Sequence, residues 1–200
     1  NSQAFFRRAI ELNPSDGAAY TSLGLWELEF GDAKKALHLL EKAFKLSPTD
    51  SHVNTTYHSV FSELGAFDQI VTQFQFASME NPNHKRLAYL YIDLLIQLGN
   101  DEAVLGAIER VITNFGVDDG ILVPALKIRD RLGPLEIVQP RGAGTSVSLC
   151  MIVKNEEENL VKCLFSAKPL VDEIIVIDTG STDRTLEIAQ VFGAKTLSFD

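Results

Sequence analysis

Between residues 4 and 134 apolar side chains recur at the spacing of amphipathic helices, and two sets of breakers cut that pattern at a common interval. Pro14, Pro48 and Pro82 lie 34 residues apart, and so do Gly31, Gly65, Gly99 and Gly133. One helical pattern runs up to each Gly and a second runs from it to the Pro, which predicts a helical hairpin repeated along the chain. Residues 17–50 fit best, with Tyr20, Leu23, Gly24 and Trp26 on the first helix and Ala36, Leu40 and Ala43 on the second. Gly24 and Ala43 are small where the two helices approach. Half a unit, residues 4–12, precedes this one. Residues 51–84 are looser, with His58 in a small-residue slot, and residues 85–116 end in Gly116 where the comb predicts Pro. A last helix ending at Gly133 is expected to cap the stack, because an open end would leave an apolar face wet.

The pattern changes after residue 134. Residues 135–145, LEIVQPRGAGT, break the helical period with Pro140, Gly142 and Gly144 and read as a linker between domains at 1–134 and 146–200. Val147, Leu149, Met151 and Val153 alternate with Ser148, Cys150 and Ile152, a strand of so little polar content that a central place in a sheet is expected. In the KNEEENL that follows, Asn155 can cap a helix and Glu158 can close a capping box, while Glu156 and Glu157 meet the positive end of the helix dipole. Ile174 to Ile177 form a second strand, with Asp178, Thr179, Gly180, Ser181 and Thr182 at its carboxyl end. Ser181 or Thr182 can cap a helix beginning near Asp183 and passing through Leu186, Ile188 and Val191, and a third strand is expected over residues 195–199. The order β, α, β, α, β predicts parallel strands joined by right-handed crossovers. Ligands collect outside the carboxyl ends of such strands, so Asp178 stands where a nucleotide would be read. No Gly-x-Gly-x-x-Gly or Gly-Lys-Ser follows the first strand, where Lys154, Asn155 and Glu156 stand instead. An acid on the second strand then suits a ribose or a base edge.

Composition narrows the partners. With 200 residues, 46% of them apolar, the chain can build real cores, and its net charge of -9 argues against nucleic acid and against a polybasic membrane patch. No run of apolar residues is long enough to span a bilayer and no signal peptide is visible, so a cytoplasmic location is expected, with a peripheral place at the inner membrane as the alternative. Cys150 and Cys163 are the only cysteines and are expected as reduced, buried thiols. His38, His52, His58 and His84 are scattered, without metal-ligand spacing, and read as solvated or core residues. The chain opens inside a helical pattern without Met, which suggests an upstream segment.

The 34-residue units resemble the tetratricopeptide repeat, a helix-turn-helix that stacks into a superhelix and usually binds peptides or proteins on its concave face. That resemblance covers residues 4–134 and implies a binding face carrying Thr21, Leu25, Leu28, Thr55, Ser59, Tyr89 and Asp93, with Trp26 and Tyr89 read first as packing residues. The Lys and Asn pair that clamps a chaperone's terminal carboxylate in some members is absent. SLCMIVKNEEENL and EIIVIDTGSTDRT together resemble the amino-terminal half of family-2 inverting glycosyltransferases of the GT-A fold, in the bacterial branch that joins such repeats to the enzyme. The fold class implied is an all-α repeat superhelix followed by a partial, Rossmann-like α/β domain with a parallel sheet. By resemblance, Asn155, Glu157, Asp178, Thr179 and Ser181 would surround the base and ribose of a nucleotide-diphosphate sugar, with Ser181 shaping the turn. Many relatives carry a second Asp where Thr179 stands. The family also needs a divalent metal, Mn or Mg, on a downstream Asp-x-Asp, and a carboxylate base. These 200 residues contain neither, so a fragment inert on its own is expected. The alternative is a non-catalytic interaction module whose α/β piece is a docking remnant.

Overall fold

The structure, a computed structural model, describes residues 2–135 and 146–199. It divides into two compact units, residues 1–99 and 100–200.

The first unit is six helices: α1 (Ser2–Leu12), α2 (Gly17–Phe30), α3 (Ala33–Leu46), α4 (Ser51–Glu63), α5 (Phe67–Glu80) and α6 (Lys85–Gln97). Short polar side chains start three of them. Asp16, Asp32 and Asp50 accept from the amides of Ala19, Lys35 and Val53, satisfying donors that a helix cannot pair internally. The glycine comb marks the turns, but not uniformly: Gly65 and Gly99 take φ of 65° and 67°, whereas Gly31 sits at -133°. There the requirement is room, because a side chain on Gly31 would collide with the Glu27 carboxylate. The core of this unit is aromatic. Phe44 stacks on Tyr57 at 4.7 Å between ring centres and meets Phe74 at 4.6 Å, and all three rings are buried.

The second unit begins with α7 (Asp101–Phe115) and α8 (Asp119–Leu132), which the repeat comb assigns to the array; in the structure they cluster with the α/β residues. Of the expected linker, residues 136–145 lie outside the described residues. Then follow β1 (Ser148–Val153), α9 (Glu157–Ala167), a 3-10 turn at Lys168–Leu170, β2 (Glu173–Asp178), α10 (Thr185–Val191) and β3 (Lys195–Ser198). The strands are parallel in the order β1-β2-β3, with Ile152 beside Ile177 and Ile177 beside Leu197. Consecutive right-handed crossovers place α9 and α10 on one face of the sheet. Val153, Ile174 and Val176 are accordingly buried, while Cys150, Ile152 and Leu197 on the opposite face are exposed.

Two sequence expectations are corrected here. β2 is the central strand and β1 pairs only with β2 among the described residues, because apolar content reports burial on both faces and one face of β1 is uncovered. Cys150 lies on that bare face and Cys163 on the outer side of α9, so both thiols are exposed instead of buried. No helix among the described residues is long and apolar enough to cross a membrane.

Candidate functional site

Two loops meet at the carboxyl ends of β1 and β2. The first, residues 154–157, turns at Asn155, the only described non-glycine residue with positive φ, at 54°. Such a backbone costs little for Asn, whose short amide can bond nearby backbone groups. The second, residues 178–185, holds Gly180 at φ 89°.

Each loop supplies what the other lacks. The Asn155 amide nitrogen donates to the Ser181 hydroxyl at 2.9 Å, and the Asn155 side-chain oxygen accepts from the Thr182 amide at 2.8 Å. The Glu156 amide donates to the Thr185 hydroxyl at 2.7 Å, and the Glu157 amide to the Asp183 carboxylate at 3.2 Å. In return the Glu157 carboxylate accepts from the Arg184 amide at 2.9 Å. The first turns of α9 and α10 are thus capped reciprocally across the loops, and the N-cap residues Glu156 and Arg184 make no side-chain cap of their own. The local capping box expected at Asn155 and Glu158, and the cap expected from Ser181 or Thr182, are therefore replaced: Asn155 faces Thr182, Glu158 is exposed, and Ser181 faces Asp178. Helix α10 starts at Thr185, two residues later than Asp183.

Asp178, the residue expected where a nucleotide would be read, is folded onto its own turn. It is 6% exposed, and its two oxygens lie 3.3 and 3.0 Å from the Ser181 amide, with the Ser181 hydroxyl donating to one of them. A carboxylate at a strand end followed by Gly and Ser folds onto its own turn, because those donors lie within three residues. The Ser181 hydroxyl, then its amide, hold the Asp178 carboxyl below its ordinary range against the opposing pull of burial. At Asp183 burial pushes upward, but the Thr185 hydroxyl and amide and the Glu157 amide outweigh it and the net direction is down. Both groups are ionised at neutral pH. Thr179 turns inward as well, its amide and hydroxyl each donating to the Val153 carbonyl at 3.0 Å.

Asn155, Glu157, Asp178, Thr179 and Ser181 are therefore brought to one place, as parts of a single hydrogen-bonded lip. Asp183, Arg184 and Thr185 belong to it too and were not singled out by the sequence; the signal was the Asp-x-Thr spacing, which lets Asp183 accept from both the amide and the hydroxyl of Thr185. Among the described residues no group of three or more His, Cys, Asp or Glu could hold a metal ion.

In the first unit the residues expected on a binding face fare unevenly. Thr21 is fully buried and its hydroxyl donates to the Gly17 carbonyl, which corrects its assignment to a surface. Leu25 and Leu28 are exposed, and Ser59 is exposed on α4. Thr55 accepts from Arg86 at 2.6 Å, and Lys85 stands over the Tyr89 ring at 5.4 Å. Trp26 is half-buried against Phe30. His58 has an acid beside it after all: Asp93 lies 3.1 Å from its Nε2, from a helix 35 residues on in sequence, a pairing that spacing within one helix does not reveal. Burial nonetheless keeps the His58 ring below its ordinary value, against the pull of Asp93.

Residues 148–198 match the family model for glycosyl transferase family 2. Over 58 residues the chain is 59% identical to a TPR repeat-containing protein of Synechococcus elongatus, covering 29% of this chain and 14% of that protein. Over 51 residues it is 43% identical to an uncharacterized glycosyltransferase of Rickettsia typhi, covering 26% of this chain and 18% of that one. Among solved structures it is similar to YrrB, described as a TPR protein with an unusual peptide-binding site, at 19% identity and a TM-score of 0.47, covering 65% of this chain and 67% of that one. The chain spans 14% and 18% of the lengths of those two curated relatives. A helical array of tetratricopeptide type is here followed by a glycosyl transferase family 2 segment.

Proposed function

We propose that the lip formed by residues 154–157 and 178–185 is the nucleotide-reading part of a GT-A sugar transferase, which passes a sugar from a nucleotide-diphosphate donor to an acceptor. The observation that carries this reading is the reciprocal stitching of the two loops at the carboxyl ends of parallel strands, where open α/β sheets take their ligands. Asn155 and Glu157 frame the place for the base and ribose; Asp178, Thr179 and Ser181 hold the turn that presents it. A lip tied down before the donor arrives loses little entropy on binding. The divalent ion and the carboxylate base that the resemblance implies would be held by residues other than those of this lip. The helices of the first unit are proposed to recruit a protein or peptide, the acceptor included.

Calorimetry on the full-length protein with UDP-glucose, GDP-mannose and Mn²⁺ tests this. At least one donor is expected to bind, with Asn155→Ala and Asp178→Ala each weakening it about ten-fold, the scale of one or two lost hydrogen bonds, charge-assisted in the case of Asp178. Binding unchanged in both variants, or no binding of any nucleotide sugar by the parent protein, favours a non-catalytic interaction module instead.

A further inference from the structure

Helix α10 has only seven residues, too few to hold its shape on propensity alone, yet its first residues complete the lip. Its support comes from α8, within the same compact unit. At the amino end of α10 the Arg184 guanidinium pairs with Asp119, the first residue of α8, at 2.7 Å. At the carboxyl end Arg129, near the end of α8, donates through Nε and one Nη to the Val191 carbonyl at 3.3 and 3.0 Å. Val191 ends α10, so this carbonyl is one of those a helix cannot pair internally. Arg129 is 9% exposed, 3.9 Å from the buried Glu109 of α7, which also receives Lys168 from the 3-10 turn. The chain leaving α8 adds a further hold: the Leu135 amide donates to the Gly193 carbonyl at 2.9 Å, and a β-carbon on Gly193 would stand 2.6 Å from Leu135.

We infer that α8 is a clasp that grips α10 at both ends and so positions the Asp178–Thr185 turn, making the last hairpin of the repeat comb a working part of the sugar-nucleotide unit. Asp119 and Arg129 are positioning residues, acting through Arg184 and Val191. The consequence for donor affinity rests on the proposed donor reading; the ordering of the turn does not.

The test uses the full-length protein with Arg129→Met, which keeps the volume, removes the donors and leaves Glu109 its Lys168 partner; Arg129→Lys, which keeps a cation; and Asp119→Ser, an exposed change that spares the core. Amide exchange of residues 181–191, followed by mass spectrometry without ligand, is expected to rise about ten-fold or more in Arg129→Met and about two-fold in Asp119→Ser, with Arg129→Lys recovering most of the protection. UDP-glucose with Mn²⁺ is expected to bind correspondingly more weakly to Arg129→Met and to recover with Arg129→Lys. Exchange at the parent level in Arg129→Met and Asp119→Ser overturns the clasp, whatever the nucleotide does. Faster exchange with unchanged UDP-glucose affinity overturns the positioning role. If Arg129→Met fails to fold, Asp119→Ser and Arg129→Lys decide. A parent that binds no nucleotide sugar sinks the donor reading, while the exchange result still judges the clasp.

Discussion

Replacing Thr185 with Val removes one oxygen and little else. Thr185 is fully buried; its hydroxyl donates to Asp183 at 2.5 Å and accepts from the Glu156 amide at 2.7 Å, so it bonds both loops at once. Valine keeps the shape and the branching but strands the Glu156 amide. One net hydrogen bond lost together with a part-buried donor left unpaired costs about 2 kcal/mol. For a unit of roughly 100 residues that corresponds to a fall in Tm of about 8–16 °C. Trp26 and all four tyrosines lie in residues 1–99, so their fluorescence reports the first unit and serves as the internal control. Melting of the second unit is followed instead by amide exchange in β2 and α10 against temperature. Thr185→Ser, which keeps the hydroxyl, is expected to fall by less than half as much. If the Val and Ser variants lose equal stability, the methyl and not the bridge matters, and the account of the lip is wrong.

Two further outcomes follow from the same geometry. Asp178 and Asp183 both sit below the ordinary carboxyl value of 3.8, so their stabilisation is complete above that value and is withdrawn as pH falls through the lowered native values. An acid titration watched by amide exchange should therefore release residues 178–185 below about pH 4, and Asp183→Asn should flatten that dependence; a profile unmoved by the substitution contradicts it. In the first unit, Phe74→Ala empties a fully buried place between Phe44 and Tyr57 and should cost about 3–5 kcal/mol in urea unfolding; a loss under 1 kcal/mol would mean the aromatic cluster is loosely packed.

Much of the fold was legible because it is written in local periodicity. The 34-residue comb located every helix of the first unit, and apolar runs bounded by Gly and Asp placed the three strands to within a residue or two. Facts that depend on distant partners were not legible. Ser181 could cap a helix or bond Asp178, and Asn155 could cap α9 or reach Thr182; both pairs of options are chemically sound, and only the meeting of the loops selects between them. The exposure of Cys150 was hidden for a similar reason: sequence reports that a strand is apolar, not which neighbours cover it. Nothing in the sequence marks Arg129 or Glu109, because a charge reveals its burial only once α10 is laid against α8.

Exchanged caps also bear on the order in which the nascent chain can settle. While a ribosome is still adding residues, β1 and the segment of α9 emerge first, with the amides of Glu156 and Glu157 open to water, since their acceptors are Thr185 and Asp183. Some 28 more residues must leave the exit before either helix start is finished, a wait of about 1.5–6 s at 5–20 residues per second. Until then the early strand and its helix are a partner short, and a chaperone that shields the apolar face of β1 would have its chance in that interval.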